Sequence, residues 1–81
     1  MSEHFLTFKF FTVYELPIRP NRKTHDYVLR NNRSGVGLGT IEWYGPWRQY
    51  CFIPMAGTVW SADCLKDVAT AIRRAMEARH A

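Results

Sequence analysis

Apolar and polar residues alternate along most of this chain with the two-residue period of a half-buried strand. Only the last twenty positions switch to helical spacing. In HFLTFKFFTVYEL, His4 to Leu16, one parity holds Leu6, Phe8, Phe10, Tyr14 and Leu16, and the other holds Phe5, Thr7, Lys9, Val13 and Glu15. The pattern predicts one long strand near residues 5–15 with a single core face. Phe11 breaks the alternation, as a bulge or an outer-face contact would. Pro17 and Pro20 cannot donate to a ladder, so PIRPNRK is a surface loop. A second strand follows near 25–31, with Tyr27 and Leu29 opposed to Val28.

NNRSG is a turn signal, because Asn and Gly tolerate positive φ. Gly35, Gly37 and Gly39 then recur at spacing two. A phosphate cradle would need a helix directly afterwards, and the chain instead enters TIEWY, a strand. Alternate glycines on a strand imply that something bulky crosses close above. Gly45-Pro46 fits a two-residue type II′ hairpin turn joining strands near 38–44 and 48–53. That register sets Tyr44 opposite Trp47, Trp43 opposite Arg48 and Ile41 opposite Tyr50. It also places Arg48 beside Trp43 for a cation–π contact. Ile41, Trp43, Tyr50 and Phe52 share the inner face, while Thr40, Glu42, Tyr44, Trp47, Gln49 and Cys51 share the outer one.

Pro54 stops the last strand, and MAGTVW connects to a helix near 62–78, capped by Ser61 with Asp63 in its first turn. Leu65, Val68, Ile72 and Met76 form its apolar stripe. The expected fold is therefore α+β: about four antiparallel strands with one C-terminal helix packed on the sheet. Its expected core is Leu6, Phe8, Phe10, Leu29, Ile41, Trp43, Tyr50, Phe52, Leu65, Val68, Ile72 and Met76.

Composition narrows the class. The 81 residues allow one domain, 1–81, and 47% hydrophobic against 22% charged residues is the balance of a globular chain. The longest apolar-looking run, Phe5 to Leu16, is interrupted by Thr7, Lys9, Thr12 and Glu15, so no membrane span is expected. No secretory signal is visible, and a cytoplasmic location is the expectation. Cys51 and Cys64 are too few for a disulfide scaffold, and each reads as a small buried hydrophobe. Cys64 sits near a helix start, where a thiol pKa can fall, but no base accompanies it.

The net charge of +4 has one location. Arg19, Arg22, Lys23, Arg30 and Arg33 stand against Asp26 alone and carry the whole excess. Such a segment suits phosphate or an acidic protein surface, or simply solvates a loop. His4, His25 and His80 are scattered without metal spacing, and no acid–base pair can be placed. No enzyme activity and no cofactor are expected.

WYGPWRQYCF, followed by a loop and CLKDV, resembles a group of small uncharacterised phage and prophage proteins. They share a WY-x-P-W-R-Q-Y-C-F hairpin, a proline soon after it, and a terminal helix beginning near Cys-Leu. The likeness spans about Gly39 to Ile72. It implies a context and no site residue: short accessory phage genes often encode inhibitors of host defence, anti-CRISPR proteins among them. From the residues themselves, Tyr44 and Trp47 lie at a turn on the face away from the core. There they serve as an interface hot spot, or are covered by the N-terminal strand or a dimer mate. The expectation is a small protein that occupies the surface of a host complex, one with an acidic or nucleic-acid-binding face. Tyr44, Trp47 and Arg48 would be its anchor, and Arg19, Arg22, Lys23 and Arg33 would steer it. The alternative is a nucleic-acid-binding module that uses the basic 19–33 segment and the hairpin aromatics.

Overall fold

A computed structural model describes residues 2–79; His80 lies outside them. Five strands run β1 Glu3–Thr7, β2 Phe11–Glu15, β3 Tyr27–Asn31, β4 Gly37–Tyr44 and β5 Gln49–Pro54, followed by the helix α1 Ala62–Arg79. The strands form one antiparallel sheet in chain order, each paired with the next. The α+β architecture with a C-terminal helix is as expected, but there are five strands where about four were read.

The extra strand comes from a break inside the first hydrophobic run. The Phe8 N–H donates to Phe11 O at 2.8 Å and closes a hairpin over Phe8–Lys9–Phe10. Asn32, from the β3–β4 turn, clasps that hairpin. Its side-chain amide donates to Phe8 O (2.8 Å) and Lys9 O (3.2 Å), and its backbone N–H donates to Phe10 O (3.0 Å). The buried Thr12 hydroxyl donates to Asn32 Oδ1 at 2.6 Å. The hairpin reverses which parity faces inward. Phe11 and Val13 are buried, and Phe10, expected in the core, is 53% exposed. A bulge between His4 and Leu6 lets both Phe5 and Leu6 pack on the core.

The core lies between one sheet face and α1, built from Phe11, Val13, Tyr27, Leu29, Ile41, Tyr50, Val68, Ala71 and Ala75. The helix turns its small residues inward, which brings its backbone close to a ring-rich sheet. Leu65, expected in the stripe, is 48% exposed as a result. Trp60, in the segment read as a plain connection, fills the gap. Its ring meets Phe11 at 5.9 Å and Phe52 at 4.8 Å. Ser61 caps the helix as expected, its Oγ accepting the Cys64 N–H at 3.2 Å. The Tyr50 N–H donates to Met76 Sδ at 3.5 Å, tying the helix to β5.

The expected crowding above the glycines occurs at Gly39, which the Phe52 ring crosses. Gly35 serves the turn instead, with φ of 75°. There Asn31 Oδ1 accepts the Arg33 and Ser34 N–H groups at 2.8 and 3.1 Å.

Candidate functional site

The hairpin tip is not the type II′ turn the dipeptide suggested, and Gly45 has no positive φ. Pro46 has a fixed φ and no N–H, which suits the first turn of a helix. Gly45–Trp47 accordingly form a 3₁₀ turn. Arg48 closes it in the left-handed region, at φ 51° and ψ 46°, with its N–H on Gly45 O at 3.1 Å. The connection therefore takes four residues, and the pairs become Tyr44 with Gln49, Trp43 with Tyr50 and Ile41 with Phe52. A shift of two residues preserves side-chain parity, so the two faces stand as read. Arg48 is thereby drawn into the turn, and it is Arg79, from the helix end, that covers Trp43, its guanidinium carbon 4.0 Å from the ring centroid.

On the outer face Tyr44 and Trp47 meet edge to face, with ring centroids 5.1 Å apart and planes at 81°. Both are exposed, Trp47 at 66% and Tyr44 at 45%. Beside them runs a groove of about 400 Å³, lined by Arg22, Glu42, Trp43, Tyr44, Trp47 and Ile53. The half-buried Cys51 also lines it and carries a free thiol.

The β2–β3 loop is clamped over this face by an ion pair. Arg19 Nε lies 2.7 Å from Asp26 Oδ2, and its terminal nitrogen lies 3.8 Å from Glu42 Oε1. The Asp26 carboxylate is buried, and its Oδ1 has no hydrogen-bond partner among the described residues. Glu42 also accepts the Thr40 hydroxyl at 2.9 Å. Both acids are thus committed to Arg19, whereas Arg22 makes no ion pair among the described residues.

Lys23, next in sequence, faces the helix side of the sheet. It joins Glu15, Thr24, His25, Tyr27, Tyr50 and Arg79 around a polar pocket of about 160 Å³. His25 Nδ1 donates to Leu16 O at 2.7 Å, and a carbonyl can only accept, so that nitrogen carries the proton. Glu15 Oε1 lies 3.8 Å from the same nitrogen. Burial pushes the Tyr27 phenol well above its ordinary range, and the neighbouring Tyr50 and Glu15 add to the rise. Burial also raises Tyr50, partly opposed by a hydrogen bond from Thr24 and the charge of Arg79.

The fold thus brings Tyr44, Trp47, Arg48, Arg19, Arg22 and Lys23 to one end of the sheet. It does not bring Arg33, which sits in the turn at the opposite end of β4, about 24 Å away along that strand. Arg30 spends a donor on Gly35 O at 3.1 Å. Sequence reasoning missed Ile53, 51% exposed, although extending the outer-face alternation past Cys51 by two residues reaches it. Among the described residues no group of three His, Cys, Asp or Glu could hold a metal. No helix there is long and apolar enough to cross a membrane.

The chain is 35% identical over 60 residues to an "Uncharacterized 9.3 kDa protein" of Acholeplasma phage L2, a match covering 74% of this chain and 77% of the relative. No family model matches the chain, and no solved structure matches it.

Proposed function

This chain belongs to the family of small phage proteins that includes the 9.3 kDa protein of Acholeplasma phage L2, and we propose that it is a non-enzymatic binding protein acting on a host assembly. It blocks or modulates that assembly, a defence complex being the apt kind of target, by occupying its surface through protein–protein contact. One observation carries this reading: the Tyr44–Trp47 pair stands exposed beside an apolar groove, on the face the core does not use. Clustered aromatic and arginine side chains are the residues that dominate binding energy at interfaces. A domain of this size can offer about 800 Å² to a partner, enough for a standard interface.

Tyr44, Trp47 and Arg48 form the anchor in this reading, and Arg22 and Lys23 favour an acidic target. Direct nucleic-acid binding ranks second, because Arg30 and Arg33 lie at the far end of β4 and the cations form no single track for a phosphate backbone. The test is an affinity capture from host lysate with the tagged protein, repeated with the double variant Trp47→Ala, Arg48→Ala. The variant should keep its melting temperature to within a few degrees and lose the captured complex. A folded variant that captures the same complex in full yield removes the hairpin tip from the interaction.

A further inference from the structure

We propose that the groove beside the hairpin tip receives a short apolar–acidic segment of the partner, its side chain among Tyr44, Trp47 and Ile53 and its carboxylate on Arg22. This rests on the binding-protein reading above and specifies its recognition chemistry. The volume of about 400 Å³ falls within the range of roughly 300–1,000 Å³ typical of ligand sites, and Tyr44, Trp47 and Ile53 give it an apolar lining on the outer face. An apolar side chain therefore supplies the fit.

Charge complementarity supplies the rest. Glu42, the acid in the groove, is held by Arg19 and by the Thr40 hydroxyl, and Asp26 is held by the same arginine. Among the described residues, the groove-lining cation without an ion pair is the Arg22 guanidinium. Its planar fork matches a carboxylate with two parallel hydrogen bonds. A basic segment would meet Arg22, and the groove's acid among the described residues, Glu42, already lies beside Arg19. A second copy of this chain, itself carrying +4, is disfavoured on the same ground. The seat is also preorganised. Arg19 pins the loop that carries Arg22, and the Arg48 N–H closes the turn that carries Trp47.

The experiment is an NMR titration of the ¹⁵N-labelled protein, reading the Arg22 Nε and Trp47 Nε1 signals and the Ile53 amide. Three blocked tetrapeptides serve as probes: Ac-Phe-Asp-Leu-Glu-NH₂, its amide isostere Ac-Phe-Asn-Leu-Gln-NH₂, and Ac-Phe-Lys-Leu-Lys-NH₂. The acidic peptide should move all three signals and saturate at about fivefold lower concentration than the isostere, the scale of one partly exposed ion pair. Arg22→Gln should abolish that preference, and Ile53→Ser should weaken both peptides. No shift at millimolar peptide, equal response to all three, or a preference that survives Arg22→Gln overturns the proposal. So does a shift on dilution alone, which assigns the groove to a second copy. So too does an eight-nucleotide oligothymidylate that displaces the acidic peptide, which assigns the groove to nucleic acid. Any of these results, with host capture still lost in Trp47→Ala, Arg48→Ala, retires the acidic-segment chemistry alone and leaves the binding reading in place.

Discussion

Replacing Gly39 with alanine places a methyl group where the sheet has no room for one. A Cβ there would lie 2.7 Å from Ile53 O and 2.7 Å from Phe52 Cε1, and contacts under 3.0 Å are essentially never found in real structures. Neither neighbour yields easily. Ile53 O belongs to the β5 backbone, and the Phe52 ring is braced by Trp60, whose centroid lies 4.8 Å away. Either the β4–β5 pair splays or Phe52 leaves the core. Overpacking of this kind costs about 1–3 kcal/mol. At about 4–8 °C per kcal/mol for a domain this small, the midpoint should fall by roughly 4–24 °C. Gly37 is the internal control, two residues away in the same strand. Its nearest atom is the flexible Met55 Cε at 3.7 Å, an ordinary contact. Gly37→Ala should therefore hold or gain stability, by about 0.4–1 kcal/mol through lost freedom of the unfolded chain. Thermal melts followed by circular dichroism decide the matter. If Gly39→Ala melts within about 2 °C of the parent, the Phe52 ring does not cross Gly39. If both variants fall equally, the effect is generic to strand glycines and the packing argument is wrong.

Asn32→Ala should cost about 1–3 kcal/mol in urea unfolding, because the buried Thr12 hydroxyl loses its acceptor and the β1–β2 hairpin loses its clasp; an unchanged urea midpoint would refute that role. Tyr27 and Tyr50 have raised folded-state pKa values, so the folded protein holds phenolic protons that the unfolded chain releases near pH 10. Their contribution is complete below about pH 10 and is lost as pH rises beyond it, so the melting temperature should drop steeply there and less steeply in Tyr27→Phe. Identical alkaline profiles for the two proteins would show that the Tyr27 phenol does not carry the loss.

The later strands and the helix were legible because each carries its own punctuation. Pro54, Ser61 and the NNRSG turn mark boundaries by chemistry acting over one to three residues. The face assignment of the β4–β5 hairpin survived a wrong turn because an error of two residues leaves parity intact. The first hydrophobic run had no such protection. Phe8, Lys9, Phe10 and Phe11 contain no Gly, Pro, Asn or Asp, and the turn they make is held by Asn32, more than twenty residues away. A turn stabilised by a distant side chain leaves no local signature. Its one trace was the doublet Phe10–Phe11, where alternation failed at the point where the chain reverses. Leu65 was misplaced for a related reason. A helix facing a sheet rich in rings buries Ala71 and Ala75, and hydropathy alone ranks alanine below leucine.

At the site, the aromatic tip could be read from the hairpin, but the charge could not be read from its segment. A run of five cations against one acid suggests a single broad positive field. The fold divides that run by what each cation touches. Arg19 is spent on Asp26 and Glu42, and Arg30 donates to the Gly35 carbonyl. Arg33 is carried to the far end of β4. Arg22 and Lys23 remain near the tip, on opposite faces of the sheet, with Arg48 in the turn itself. The field near the tip is thus two or three separated charges around rings, and it screens over a Debye length of about 8 Å at physiological salt. In the reading proposed above, such a surface selects a partner by where one carboxylate falls against one guanidinium, with the apolar fit beside it setting the affinity. Had the five cations stayed in one track, they would have favoured any polyanion. Arg19 pairs with Asp26 at 2.7 Å and lies 3.8 Å from Glu42, and so ties the β2–β3 loop to β4. Arg22, which lines the groove, makes no ion pair among the described residues.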